Sequence, residues 1–183
     1  MGWYLILATI PAGVTAVLFK EMFENAFSDP KTSAIFLLIT SLFLILGELI
    51  GKRTRSLEKL TWVDALFIGI FQVFALFPGI SRSGSTISGG LIRGLDRRSA
   101  ARFSFLMAVP VMLAAGLLAT IDLVQSPTLS GQIPIYLSGF AAAIIVGYFA
   151  IRWFINYLPR QSLYIFASYC AVLGFVILLV ISN

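Results

Sequence analysis

The sequence predicts an all-α integral membrane protein of about five transmembrane helices plus one re-entrant helical hairpin. Three observations lead there. Of 183 residues, 59% are hydrophobic and only 11% charged, with a mean hydropathy of +0.97. A soluble domain carries about 25% charged residues, so this chain has too few polar groups to cover its own surface in water. Five apolar runs are long enough to cross the hydrocarbon of a bilayer, which takes about 20 helical residues. Most basic residues sit in short loops between those runs, where they orient membrane helices. The net charge of +5 is therefore explained by membrane topology, and no nucleic-acid partner is expected.

The runs are Trp3 to Phe19, Thr32 to Ile50, Phe103 to Ile121, Ile133 to Ile151 and Ser162 to Ile181. Each is read as a helix, because an isolated strand would leave its backbone groups unpaired in lipid. Pro11 and Pro110 fall inside two of them and are expected to kink the helix. The opening Met1-Gly2-Trp3-Tyr4 has no basic segment ahead of its apolar run and so does not read as a signal peptide. The lone Cys170 has no disulfide partner and reads as a small packing residue. No linker divides the chain, and residues 1–183 are expected to form one membrane domain.

A sixth apolar stretch, Trp62 to Phe77, runs into Pro78-Gly79 and a string of small polar residues ending near Ile92. Charge placement decides its path. Lys52, Arg53, Arg55 and Lys59 precede it, Arg93, Arg97, Arg98 and Arg102 follow it, and Arg152 and Arg160 flank the last loop. A single crossing would put the first two clusters on opposite faces. A hairpin over about 62–92 that dips in and returns puts all three on one side, as the positive-inside rule expects. The N-terminus is then cytoplasmic and the C-terminus outside. Trp62, Trp153 and Tyr157 sit beside the basic loops, where interfacial aromatics belong.

The polar tip, Pro78-Gly79-Ile80-Ser81-Arg82-Ser83-Gly84-Ser85-Thr86, is the candidate functional segment. Irregular backbone at membrane depth is tolerated only inside protein or beside a watery cavity. An intramembrane arginine costs at least ~3 kcal/mol on insertion scales unless something pairs with it. Ser81, Ser83, Ser85 and Thr86 supply hydroxyls, Gly79 and Gly84 allow close backbone approach, and a helix starting near Gly84 would aim its amides at the same place. A planar, permanently charged fork among such groups suits phosphate or diphosphate. The competing reading pairs Arg82 with Glu48 or Asp64 as a structural ion pair. Both carboxylates are otherwise expected to be solvated or interfacial partners of nearby Lys52, Arg53 and Lys59. The absence of histidine removes the commonest general base and metal ligand.

The stretch Gln72-Val73-Phe74-Ala75-Leu76-Phe77-Pro78-Gly79-Ile80-Ser81-Arg82-Ser83-Gly84-Ser85-Thr86-Ile87-Ser88-Gly89-Gly90 closely resembles the second signature of the bacterial undecaprenyl-pyrophosphate phosphatases, the bacitracin-resistance proteins. Ala101 to Pro110 looks like that family's next helix, and Ala8-Thr9-Ile10-Pro11-Ala12-Gly13 like the helix before the signature. The resemblance covers essentially the whole chain. It implies hydrolysis of undecaprenyl pyrophosphate to undecaprenyl phosphate and phosphate, which recycles the lipid carrier of cell-wall synthesis in the bacterial plasma membrane and confers bacitracin resistance.

By the same resemblance Arg82, Ser81 and Ser83 carry the catalytic role. Gly79, Gly84, Ser85 and Thr86 bind the phosphate groups, and Gln72 and Pro78 shape the hairpin. A divalent metal (Mg or Ca) is implied, but the chain offers no identifiable ligands for it. The family's earlier signature, with two glutamates, a serine pair and a histidine, has no match here, and Gln72 and Leu76 stand at the counterparts of its glutamates. The chain thus resembles the C-terminal two-thirds of the family, and on its own is expected to lack turnover. Two other readings remain open: a transporter or flippase that binds polyprenyl phosphate headgroups, since broken helices serve that purpose in transporters, and an assembly subunit that pairs with a partner. A homodimer is likewise open.

Overall fold

The computed structural model describes residues 1–125, 129–158 and 161–182. Their regular elements are helices: α1 (Gly2–Leu18), α2 (Lys20–Phe27), α3 (Pro30–Ile50), α4 (Trp62–Phe74), α5 (Arg82–Ile92), α6 (Arg97–Val124), α7 (Leu129–Tyr157) and α8 (Tyr164–Ser182), with a 3₁₀ turn at Leu57–Lys59. The protein is all-α and multi-pass. Four helices, α3, α6, α7 and α8, are long and apolar enough to cross a membrane, and α1 and α2 pass the same test only when taken together as one bent pair.

The first run ends where it was expected to, but the chain does not simply leave the membrane there. Phe19 departs from helical geometry (φ −121°, ψ 28°), and α2 sets off at 81° to α1. Lys20, Glu21 and Glu24 give α2 a polar face that cannot continue an apolar span, and Lys20 pairs with Glu24 at 3.6 Å. Asp29 then starts α3, its carboxylate accepting the Lys31 and Thr32 amides, with Pro30 in the first turn where a missing N–H costs nothing. Asp96 caps α6 in the same way through Ser99 N–H at 2.8 Å, which lets that helix begin six residues ahead of its apolar run. Pro11, Pro110 and Pro134 all lie within helices.

The α4–α5 pair sits at the centre. It packs on α1, α3 and α6, and every residue of α5 from Gly84 to Leu91 is buried. Glycines permit this. A Cβ on Gly69 would stand 2.4 Å from the Ala8 carbonyl oxygen, so α1 and α4 cross as closely as backbones can. The apolar core, including Ile68, Ile87, Leu91, Phe103 and Met107, closes around the pair. In contrast α7 runs exposed along its apolar length, a face made for lipid.

Both ends of the α4–α5 pair emerge together. Asp64, in the first turn of α4, is fully buried and receives Arg93 Nε from the end of α5 at 2.6 Å. Arg55 Nη2 reaches the same carboxylate at 2.6 Å, and Thr61 donates both its amide and its hydroxyl. Arg55 also pairs its backbone with Gly94 and Asp96. A single crossing would place Asp64 and Arg93 at opposite ends, so the pair is a hairpin.

Glu48 forms a second hub at that end. It takes Arg97 through two bonds (2.9 and 2.7 Å), Arg53 at 2.5 Å, and the Leu163 amide at 2.9 Å from the start of α8. The expectation that Glu48 and Asp64 are solvated or interfacial partners of Lys52, Arg53 and Lys59 holds for the Arg53–Glu48 pair and is otherwise corrected. The two carboxylates are 5% and 0% exposed, and each binds two arginines, one of them from beyond the hairpin tip. A buried carboxylate needs that degree of compensation. The three basic loops converge there, although Arg160 lies outside the described residues.

Candidate functional site

The turn between α4 and α5 is built to present residue 82. Gly79 has φ +88°, and a Cβ there would lie 2.1 Å from the Ser33 carbonyl oxygen, so only glycine fits both the backbone and the space. Thr40, fully buried in the middle of α3, clips the turn from the side. Its Oγ1 lies 3.1 Å from the Gly79 carbonyl, to which it can donate, and accepts the Ser81 N–H at 3.1 Å. The Ser81 hydroxyl in turn accepts the Gly84 N–H at 3.1 Å and caps α5. Pro78 is buried within the turn.

Beyond the cap, the hydroxyls turn inward. Ser85 donates to the Phe71 carbonyl across the hairpin. Thr86 lies within 2.8 Å of the Arg82 carbonyl and 2.6 Å of the Ser104 hydroxyl on α6. Both side chains are essentially sealed, at 0% and 1% exposure, and their bonds hold α5 to its neighbours. Ser81 and Ser83, 3.5 Å apart through their hydroxyls, remain half-exposed.

Consecutive residues at the head of a helix point about 100° apart, and here that divides the segment between two cavities. Ser81 and Ser83 line one of about 440 Å³, enclosed mainly by apolar residues of α3, α7 and α8 including Phe154, Phe166 and Cys170. Arg82 lines another of about 200 Å³ on the opposite flank, between α1, α4 and α6. Thr9, Gln72 and Pro110 line it too, and the rest is aliphatic or glycine.

Arg82 has no carboxylate partner among the described residues, since Glu48 and Asp64 are both held by other arginines. The structural ion pair considered from the sequence is absent. A half-buried guanidinium lining a carboxylate-free cavity attracts anions. Gln72, expected to shape the hairpin, lies near the end of α4, and its backbone carbonyl accepts the Ala75 N–H at 3.1 Å. Its side chain is 3% exposed, and neither Nε2 nor Oε1 has a partner. An unpaired buried amide costs about 1–3 kcal/mol. Three features escaped sequence reasoning: the Thr40 clip, the division between two cavities, and the bare carboxamide. The one available signal was a threonine–serine pair, Thr40-Ser41, interrupting an apolar run.

The donor set does not suit a divalent cation. No group of three or more histidine, cysteine, aspartate or glutamate side chains comes together among the described residues. The two buried carboxylates already hold two guanidiniums each, and Arg82 would repel a cation from its cavity.

Comparison with known proteins completes the description. The model of the bacitracin resistance protein BacA family matches residues 1–176. The chain belongs to that family. Relatives within it include an undecaprenyl-diphosphatase of Mycobacterium sp. (strain KMS), 41% identical over 185 residues that cover all of this chain and 67% of that protein. The undecaprenyl-diphosphatase of Mycolicibacterium smegmatis is 40% identical over 180 residues, 97% of this chain and 65% of its own length. The chain thus spans about two-thirds of these longer BacA proteins. The undecaprenyl-diphosphatase of Methanothermobacter thermautotrophicus is 44% identical over 177 residues, covering 95% of this chain and 97% of that protein. BacA proteins therefore include one of nearly this chain's extent.

Proposed function

We propose that this BacA-family chain forms the diphosphate-recognising part of an undecaprenyl-diphosphate phosphatase, the activity that converts undecaprenyl diphosphate to undecaprenyl phosphate and phosphate and so supports carrier-lipid recycling and bacitracin resistance. Its own part is recognition of the diphosphate by Arg82. One observation carries this reading: a guanidinium at the tip of a buried hairpin, without a carboxylate partner among the described residues, lining a largely apolar cavity. The relatives are phosphatases by name, which favours hydrolysis over transport.

Gly79 and Gly84 let the backbone turn beneath the arginine, Ser81 and Ser83 offer hydroxyls on the adjoining flank, and Ser85 and Thr86 hold the helix that carries them. Phosphoryl transfer also needs a group to manage the attacking water and its proton. Neither cavity is lined by a carboxylate or imidazole, so neither supplies the usual group for that task. The divalent metal implied by resemblance is likewise given no ligands by the described residues. The exposed apolar flank of α7 faces lipid, and a homodimer would be tested by cross-linking in native membranes.

The experiment is a binding and turnover measurement in proteoliposomes containing undecaprenyl diphosphate, comparing the natural chain with Arg82→Ala. The substitution should lower affinity for the lipid about 10- to 100-fold, the loss expected for a charge-assisted contact. Membrane insertion should be unchanged. Equal affinity in the two proteins would overturn the reading.

A further inference from the structure

We propose that Gln72 is a second ligand-binding residue of the Arg82 cavity, its carboxamide contacting the same phosphate group that the guanidinium attracts. The proposal rests on the function proposed above and deepens it. Three observations converge. Gln72 is 3% exposed, both polar atoms of its side chain lack a partner, and it lines the cavity that Arg82 lines. A glutamine that served only to hold the hairpin would bond across it, as Ser85 does to the Phe71 carbonyl and Thr86 to Ser104. The Gln72 carboxamide bonds nothing, although it is buried on α4.

The chemistry of a carboxamide fits a phosphate beside an arginine. Nε2 carries two N–H groups that donate to anionic oxygens, and Oε1 accepts from a protonated phosphate oxygen or from a guanidinium N–H. Being neutral, it leaves Arg82 free for the ligand. A carboxylate at this position would neutralise the guanidinium and repel the anion instead. The space suffices: about 200 Å³ equals roughly six times a water's share of liquid volume, and Arg82 is the one charged residue among those lining it.

Two substitutions separate this role from a structural one. Gln72→Met keeps length and flexibility while removing both polar atoms, and Gln72→Glu keeps shape while adding charge. Affinity is measured in detergent micelles with farnesyl diphosphate as the probe. Farnesyl monophosphate, inorganic diphosphate and inorganic phosphate serve as comparison ligands. Thermal unfolding is followed without ligand.

Gln72→Met should weaken farnesyl diphosphate binding about 10-fold and raise the ligand-free melting temperature, because the unpaired buried amide is gone. Gln72→Glu should weaken binding further. Competition by inorganic diphosphate comparable with farnesyl diphosphate would assign the cavity to the phosphates alone, and much weaker competition would assign it to a lipid headgroup. Either source requires the carboxamide. Unchanged affinity in Gln72→Met, with Arg82→Ala still impaired, would overturn this proposal and leave the function standing. Unchanged affinity in Arg82→Ala would overturn both. A fall in melting temperature for Gln72→Met with unaltered affinity would mark Gln72 as structural and equally reject the idea.

Discussion

Thr40 Oγ1 accepts the Ser81 N–H at 3.1 Å, tying the middle of one span to the residue that starts the helix carrying Arg82. The contact joins positions 41 residues apart, and the Gly79 carbonyl shares the same oxygen. Replacing Thr40 with valine keeps the volume and leaves a buried N–H without an acceptor. Thr40→Val should therefore cost about 1–3 kcal/mol of stability. It should also weaken diphosphate binding although Thr40 lines neither cavity. Thermal unfolding together with ligand titration checks this, and an intact affinity would show that the turn holds its shape unaided.

The hubs at the base of the hairpin predict a larger effect. Asp64 is fully buried between Arg55 and Arg93, and removing it strands two guanidiniums. Asp64→Ala should destabilise the protein by about 3–5 kcal/mol. Arg93→Gln should cost less, because that side chain is 37% exposed and water can replace part of the contact. Denaturation in mild detergent would rank the two, and the reverse order would contradict the assignment of Asp64 as the hub.

Glycine at 79 admits no substitute. With φ at +88° and the Ser33 oxygen 2.1 Å from any added Cβ, Gly79→Ala should displace the turn and abolish ligand binding. Gly69→Ala, which would meet the Ala8 oxygen at 2.4 Å, should instead push α1 away from α4 and widen the Arg82 cavity. A probe between those helices, such as paired spin labels on exposed Ile6 and Ile70, would report the separation.

Topology can be read chemically. With Cys170 replaced by alanine, cysteines introduced at Lys59 and Arg98 should react with an impermeant thiol reagent from the same face of sealed vesicles. Labelling from opposite faces would contradict the hairpin that the Asp64–Arg93 contact defines.

The proposed division of labour predicts the behaviour of the isolated chain. It should bind prenyl diphosphates yet release no phosphate above background, because neither cavity is lined by a carboxylate or imidazole that could manage the attacking water. Turnover dependent on Arg82 in the purified chain would assign that task to its hydroxyls.

What the residues disclosed in advance, and what they hid, follows from the range of the forces involved. The spans were legible because insertion in lipid depends on local apolar content, and the hairpin because charged loops must gather on one side. Arg82 stood out because a cation is costly at membrane depth. The partners of Glu48 and Asp64 were legible only in part: adjacency suggested Lys52, Arg53 and Lys59, of which Arg53 does pair with Glu48, whereas the contacts from Arg97 and Arg93 come from beyond the turn. The end of the first run at Phe19 was legible, whereas the short helix α2 beyond it was not, because its Lys20, Glu21 and Glu24 break the apolar pattern. Nor could residue spacing alone show that Ser81 and Arg82, though adjacent, face different cavities.

The lone guanidinium at residue 82 has one more consequence. Because no carboxylate among the described residues neutralises it, the ligand-free fold already holds an electrostatic field suited to a phosphate, and little rearrangement is needed when one arrives. The same half-buried charge carries a desolvation cost until that moment. Occupancy should therefore register as a rise in melting temperature that grows with the logarithm of ligand concentration, a signature that reveals recognition even where no chemistry is turned over.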